Sequence, residues 1–125
     1  MQQENHAPRF AVEERSEAHA RIAILALSGQ LDAHTAPEFE RFLETVVRDE
    51  GKHQLVLDFN GLEYISSAGL GVLMGLIEEV RAAGGDMKLA SLPDKIYHVL
   101  DLLGFPMVFQ IFSTVPEAEA AFGGS

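Results

Sequence analysis

Two adjacent serines, Ser66 and Ser67, head an apolar run interrupted by glycines, Ser66-Ser67-Ala68-Gly69-Leu70-Gly71-Val72-Leu73. A hydroxyl at the point where a loop gives way to a helix has two kinds of chemistry open to it. It can cap the helix by accepting backbone N–H groups that the first turn leaves unpaired. It can also accept a phosphoryl group, which adds about −1.5 to −2 charges and three acceptor oxygens. The partial positive charge of a helix N-terminus accommodates such an anion, so the fold should survive the modification. A docked partner presenting carboxylates or apolar surface would be repelled. Cap and switch both remain open on physics alone.

Other candidates for chemistry are weaker. Asp32 and His34 share one loop and could meet Ser67 in space, yet capping and surface roles serve both equally well. The five histidines (His6, His19, His34, His53 and His98) form no helical i, i+4 pair that would hold zinc. A hydrolase nucleophile elbow needs glycine where Ile65 stands. Gly69, Gly71 and Gly75 loosely imitate a dinucleotide fingerprint, but that motif needs its glycines in the turn directly leaving a strand. Gly71 and Gly75, four residues apart, read instead as positions that let a helix pack close to a sheet. The expectation is no catalytic site, no cofactor and no metal, with a small-ligand or enzyme reading left resting on the glycines and His34 alone.

Composition narrows the classes further. A chain of 125 residues that is 47% hydrophobic can bury one proper core. Nineteen acidic against nine basic residues give a formal charge of −10, which argues against nucleic acid as partner. The lack of cysteine removes disulfides and thiolate metal sites and suits a reducing compartment. No apolar run approaches the roughly 20 residues that span a bilayer, and residues 1–8 lack the pattern of a secretion signal. The reading is a cytoplasmic domain with no membrane contact.

The serines must be held by elements that the sequence also shows. Residues 1–9 read as a loose tail, 10–122 as one domain and 123–125 as a C-terminal tail. Phe10 to Arg15 reads as a short edge strand, Glu17-Ala18-His19 as a turn, and Arg21 to Leu27 as a strand bounded by Ser28-Gly29. Residues 29–35 form a loop into a helix, with Thr35 and Glu38 as a capping box and Pro37 in the first turn. Phe39, Phe42, Leu43, Val46 and Val47 make its core-facing stripe. Gln54 to Phe59 has the apolar run of a strand buried on both faces, and Asp58 near its end should bond loop backbone. A second helix carries Leu73, Leu76, Ile77 and Val80 and stops at Gly84-Gly85. Met87 to Ala90 reads as a strand. Ser91 and Asp94 should cap a third helix with Ile96, Val99, Leu100 and Leu103 inward, which Gly104 and Pro106 terminate. Val108 to Phe112 reads as a last strand, and Thr114 with Glu117 opens a short final helix. Helices alternating with strands imply right-handed crossovers and a mostly parallel sheet.

The segment from Leu55 to Leu73, with its D-F-x-G-x-x-x-I-S-S-A-G-L-G-V-L pattern, resembles the STAS domain of bacterial anti-sigma factor antagonists. Gly29-Gln30-Leu31-Asp32-Ala33-His34-Thr35 is similar to the family's G-x-L-D-x-x-T segment. The later Ala82-Ala83-Gly84-Gly85 and Val99-Leu100-Asp101-Leu102-Leu103-Gly104-Phe105 sit where related chains carry similar pieces. Together they extend the resemblance from about residue 10 to residue 122. It implies an α/β STAS fold, a mixed and mostly parallel sheet of about five strands with about four helices.

It also implies a partner switch. The unphosphorylated antagonist binds an anti-sigma factor, a serine kinase of the histidine-kinase-like ATPase fold, and so frees a sigma factor. The kinase ends the interaction by phosphorylating one serine, and a metal-dependent serine phosphatase restores it. By position that serine is Ser67, with Ser66 as the alternative acceptor; many antagonists carry Asp where this chain has Ser66. The implied partner-binding set is Asp32, His34, Thr35, Ser66, Ser67, Gly69 and Leu70, together with the exposed side of the second helix. The resulting expectation is a non-enzymatic, phosphorylation-switched binding module, a monomer or weak dimer. The rival reading is a structural STAS subunit of a stressosome-like scaffold or of a transporter complex.

Overall fold

Period-two and period-3.6 patterning sort this chain into strands and helices that share one apolar interior. The computed structural model describes residues 9–17 and 19–123. Residues 1–8 of the expected tail, Ala18 of the expected turn, and residues 124–125 lie outside them. The order is β1 (Phe10–Glu14), β2 (Ile22–Leu31), α1 (Ala36–Glu44), β3 (Gln54–Ile65), α2 (Ser67–Ala82), β4 (Asp86–Ala90), α3 (Asp94–Leu102), β5 (Ile111–Phe112) and α4 (Val115–Ala120). A π-helical turn, Thr45–Asp49, prolongs α1, and a 3-10 turn, Phe105–Met107, follows α3. The sheet order is β1-β2-β3-β4-β5, with β1 antiparallel to β2 and every other neighbour parallel. The expected mixed α/β sheet of five strands with four helices is what forms.

Pleating sends alternate side chains to opposite faces. On one face Leu25 and Leu27 of β2, Leu55, Leu57 and Phe59 of β3, and Leu89 of β4 join Phe39 and Leu43 of α1, Leu73 and Val80 of α2, and Leu100 of α3. On the other, Val56 and Ala90, flanked by Ile22, Ile24 and Phe112, are covered by Ala118, Val115 and Phe122 of the α4 region. Lys88 is buried on this second side. Its ammonium bonds Asp86 at 3.1 Å and Gln110, and lies 4.5 Å from the centroid of the Phe122 ring. A charge this deep persists because it is paired and faces an aromatic ring.

Several elements differ from the sequence reading, each for a local reason. β2 continues through Ser28-Gly29 to Leu31, with Gly29 at φ 84°. β3 does not stop at Phe59 but runs to Ile65, and its pairing with β2 shifts register twice, each time leaving an extra residue in β3. Such bulges interrupt the alternation by which a strand is recognised. Gly61 sits at the first, where a Cβ would lie 3.0 Å from the Ser28 Cβ. Ser91 is not a cap: it has φ 60°, its hydroxyl donates to the Ser113 carbonyl at 3.3 Å, and Pro93 stands before α3 instead. Val99 and Leu103, expected inside, are 37% and 60% exposed. The 3-10 turn brings Phe105 and Phe109 into the interior, stacked with ring centroids 5.6 Å apart, so the last strand shrinks to two residues. Thr114 does cap α4, accepting from the Glu117 N–H at 3.2 Å.

The Gly84-Gly85 stop also forms. The Gly84 N–H reaches the Arg81 carbonyl and the Gly85 N–H the Val80 carbonyl, the paired bonds of a Schellman ending. A Cβ on Gly85 would lie 1.8 Å from the His53 carbonyl oxygen, a backbone atom that cannot swing aside. Gly85→Ala should therefore lower stability by about 3 kcal/mol or more in urea titration.

Asp86 ties this corner together, accepting from the Met87 N–H at 2.8 Å, Arg81 at 3.0 Å and Lys88 at 3.1 Å. Burial pushes its carboxyl up, but those donors outweigh burial and hold it below the ordinary carboxylate value. A depressed folded-state value means stabilisation that is complete above about pH 4 and drains away as pH falls through the folded value. Asp86→Asn should show a lower Tm at pH 7 and a shallower fall in Tm below pH 4 than wild type.

Candidate functional site

β2 and β3 end side by side. Leu31 pairs with Ile65, and the Ser66 N–H donates to the Leu31 carbonyl at 2.9 Å. The segments leaving those ends, residues 32–35 and 66–67, therefore start about 5 Å apart. The crevice beyond the carboxyl ends of parallel strands is where open α/β sheets gather functional groups.

The first segment is braced from within. Asp32 Oδ1 accepts from the His34 N–H at 2.9 Å and the Thr35 N–H at 3.1 Å. The Thr35 hydroxyl donates to the Gln30 carbonyl at 2.9 Å and accepts from the Asp32 N–H at 2.9 Å. Thr35 consequently makes no side-chain cap to α1, and the expected capping box with Glu38 does not form. The Thr35 backbone is already helical, φ −99° and ψ −15°, rather than extended as an N-cap requires, and its hydroxyl is committed to the Gln30 carbonyl and the Asp32 N–H. Burial raises the Asp32 carboxyl, while the N–H bonds from Thr35 and His34 more than offset it and leave the group below its ordinary value.

The second segment presents the serines in different ways. Ser67 is the first residue of α2 and is exposed. Ser66 is the N-cap by backbone, with φ −103° and ψ 173°, but its side chain makes no cap bond. Its Oγ is buried and has no hydrogen-bond partner. Among the described residues no hydrogen bond joins Asp32 or His34 to either serine, so the nucleophile constellation considered from sequence is not assembled.

Gly69 fixes the position of α2. A Cβ there would lie 2.6 Å from Leu31 Cγ and 3.2 Å from Ile65 Cγ1. A Cβ on Gly71 or Gly75 would meet nothing within 4 Å, and both residues are exposed. The close packing expected of Gly71 and Gly75 thus belongs to Gly69. Of the residues singled out from sequence, Thr35, Gly69 and Leu70 are interior, Asp32 and Ser66 are half-buried, and His34 and Ser67 are exposed. The outer face of α2 adds Gly71, Met74, Gly75 and Glu78, with Tyr64 half-exposed before it. Their signal in the sequence is negative: they are the positions left over by the apolar stripe.

The STAS domain family model matches residues 14–118. BtrV of Bordetella bronchiseptica, a candidate anti-sigma factor antagonist, is 33% identical over 101 residues, covering 81% of this chain and 86% of that one. This chain belongs to the STAS-domain family of anti-sigma factor antagonists. A solved anti-sigma factor antagonist from Mycobacterium paratuberculosis matches the STAS domain with TM-score 0.81 at 25% identity, over 92% of this chain and 96% of that one. The antagonist SpoIIAA in its unphosphorylated form shares the fold, with TM-score 0.75 at 21% identity over 93% and 97% of the two chains. SpoIIAA, a Bacillus cell fate determinant, has also been solved phosphorylated, with TM-score 0.66 at 20% identity over 90% and 98%.

The three glycines of α2 in this STAS domain should separate cleanly on substitution. Gly69→Ala forces a methyl against the fully buried Leu31 and should cost about 1–3 kcal/mol. Gly71→Ala and Gly75→Ala add helix propensity in open space and should each stabilise by about 0.5–1 kcal/mol. Urea denaturation of the three variants reads both signs.

Proposed function

We propose that this STAS domain is an anti-sigma factor antagonist switched by phosphorylation of Ser67. The observation that carries the proposal is the exposed Ser67 hydroxyl on the first residue of α2, beside the braced loop at residues 32–35. Unphosphorylated, the face made by that loop, the serines and the outer side of α2 binds an anti-sigma factor in the cytoplasm and so frees a sigma factor for transcription. The anti-sigma factor is a serine kinase of the histidine-kinase-like ATPase fold. It moves the γ-phosphoryl of ATP to Ser67 Oγ, releasing ADP and the hydroxyl proton. A metal-dependent serine phosphatase hydrolyses the ester and resets the switch.

Accessibility favours Ser67 over Ser66, whose Oγ is out of solvent. Two glycines on the exposed face of α2 weaken the helix with no internal packing gain, which is reasonable if a partner backbone must approach there. Added phosphate charge at a helix start leaves the fold intact and places a dianion in the docked surface, where desolvation and like charge oppose binding. That SpoIIAA is known in both phosphorylation states fits a fold that tolerates the modification.

Ser67→Glu should leave folding stability within about 0.5 kcal/mol and weaken binding to the anti-sigma factor at least about tenfold, or 1.4 kcal/mol, in calorimetric titration. Equal affinity of wild type and variant would sink the switch. In the kinase reaction, Ser67→Ala should abolish phosphate incorporation and Ser66→Ala should not. Light scattering tests the structural-subunit rival: a large homo-assembly would favour a scaffold, and a monomer or dimer favours the antagonist.

A further inference from the structure

The Ser66 hydroxyl has no task in the unmodified domain. Backbone geometry makes it the N-cap of α2, yet the side chain caps nothing and its Oγ is buried without a hydrogen bond. Native proteins rarely leave a buried hydroxyl unpaired, because the lost hydration is not returned. Gln54 Oε1 is the other such atom among the described residues, and it stands at the opposite end of β3. The orphan hydroxyl therefore sits next in the chain to the proposed phosphoryl acceptor.

We infer that Ser66 is a positioning residue for the phosphate on Ser67, rotating to donate its hydroxyl hydrogen to a non-bridging phosphoryl oxygen. This inference rests on Ser67 as the modified residue. Serine has three staggered rotamers about χ1, so a turn about one bond can move the oxygen from its buried position toward the helix start. The first-turn N–H groups face the same region, and a phosphate there meets the backbone donors and the Ser66 donor together. No group is transferred in this step; a hydrogen bond forms and the phosphate stays on Ser67 Oγ.

The dianion gains most from an added donor, so the effect is read in the second ionisation of the phosphate, ordinarily near 6. Phosphoserine is installed at position 67 by genetic-code expansion, without any kinase, and titrated by phosphorus NMR. Wild type should titrate below 6, Ser66→Ala about half a unit or more higher, and Ser66→Asp higher still because a like charge is added. Ser66→Thr keeps the hydroxyl and should keep the low value. The neighbouring titratable side chains, Asp32, His34 and Glu63, are the same in all four proteins and cancel in the comparison.

The unphosphorylated proteins supply the second arm. Ser66→Ala should be at least as stable as wild type, since no bond is lost. An ordinary N-cap serine would lose about fivefold in the folding equilibrium. An unchanged phosphate titration in Ser66→Ala overturns the inference, and so does an ordinary capping loss in the unmodified variant. Because the phosphate is installed directly, a protein that binds no anti-sigma factor still reports on Ser66. Failure of the partner switch and failure of this inference are therefore read separately.

Discussion

The arrangement at the serine end depends on how closely the first turn of α2 can settle over the ends of β2 and β3. Residue 69 touches Leu31 and Ile65 so nearly that only a hydrogen atom fits in place of a side chain. With the helix start held there, the Ser66 N–H reaches the Leu31 carbonyl, and the loops that follow the two strands become neighbours. The fully buried Leu31 serves two purposes: it fills the core under α1 and α2, and it is the surface on which the serine turn rests. A small change in packing at this contact would move the serines relative to Asp32 without touching either residue.

The ion pairs of the fold stand apart from the serine end. Asp32 already satisfies its carboxylate with loop N–H groups, so its role is to hold the loop's shape. The strongly paired cations lie elsewhere. Arg48 bonds Glu79 in two places, Lys52 bonds Glu14, and Lys88 is enclosed by Asp86, Gln110 and Phe122. Glu79 is held below the ordinary carboxylate value mainly by its bond with Arg48, and Lys52 above the ordinary lysine value mainly by its bond with Glu14. None of these pairs involves residues 32–35 or 66–67, so among the described residues charge added at the helix start has no ion pair to break.

Much of this was legible in the sequence. The helix stripes of α1 and α2, the Gly84-Gly85 stop, the Thr114 cap and the run of β3 through Phe59 appear where periodicity put them. The misses have physical causes. The strand read as ending at Phe59 continues through a bulge at Asn60-Gly61 to Ile65, because pairing with β2 carries it past those residues. Thr35 and Ser91 are good caps by type, but a helical backbone at Thr35 and a positive φ at Ser91 leave their hydroxyls bonded elsewhere. Leu103 falls at the C-cap of α3 and Val99 on its outer side, and Phe105 and Phe109 fill the interior beside that helix instead. At the candidate site, the serine pair and the Asp32 loop were visible as motifs. Which serine faces solvent was not, because the two differ only in side-chain direction.

The two sides of the sheet are covered by different parts of the chain. α1, α2 and α3 lie on one, and α4 lies across the other with Phe122 over Lys88. Stacked layers are separated by about 10 Å, so the sheet acts as a partition between the serine-bearing helix and the C-terminal one. A flat partner seated on α2 cannot also touch α4. The domain therefore presents two helical surfaces that the sheet keeps apart, one carrying the serines and one carrying the C-terminal helix.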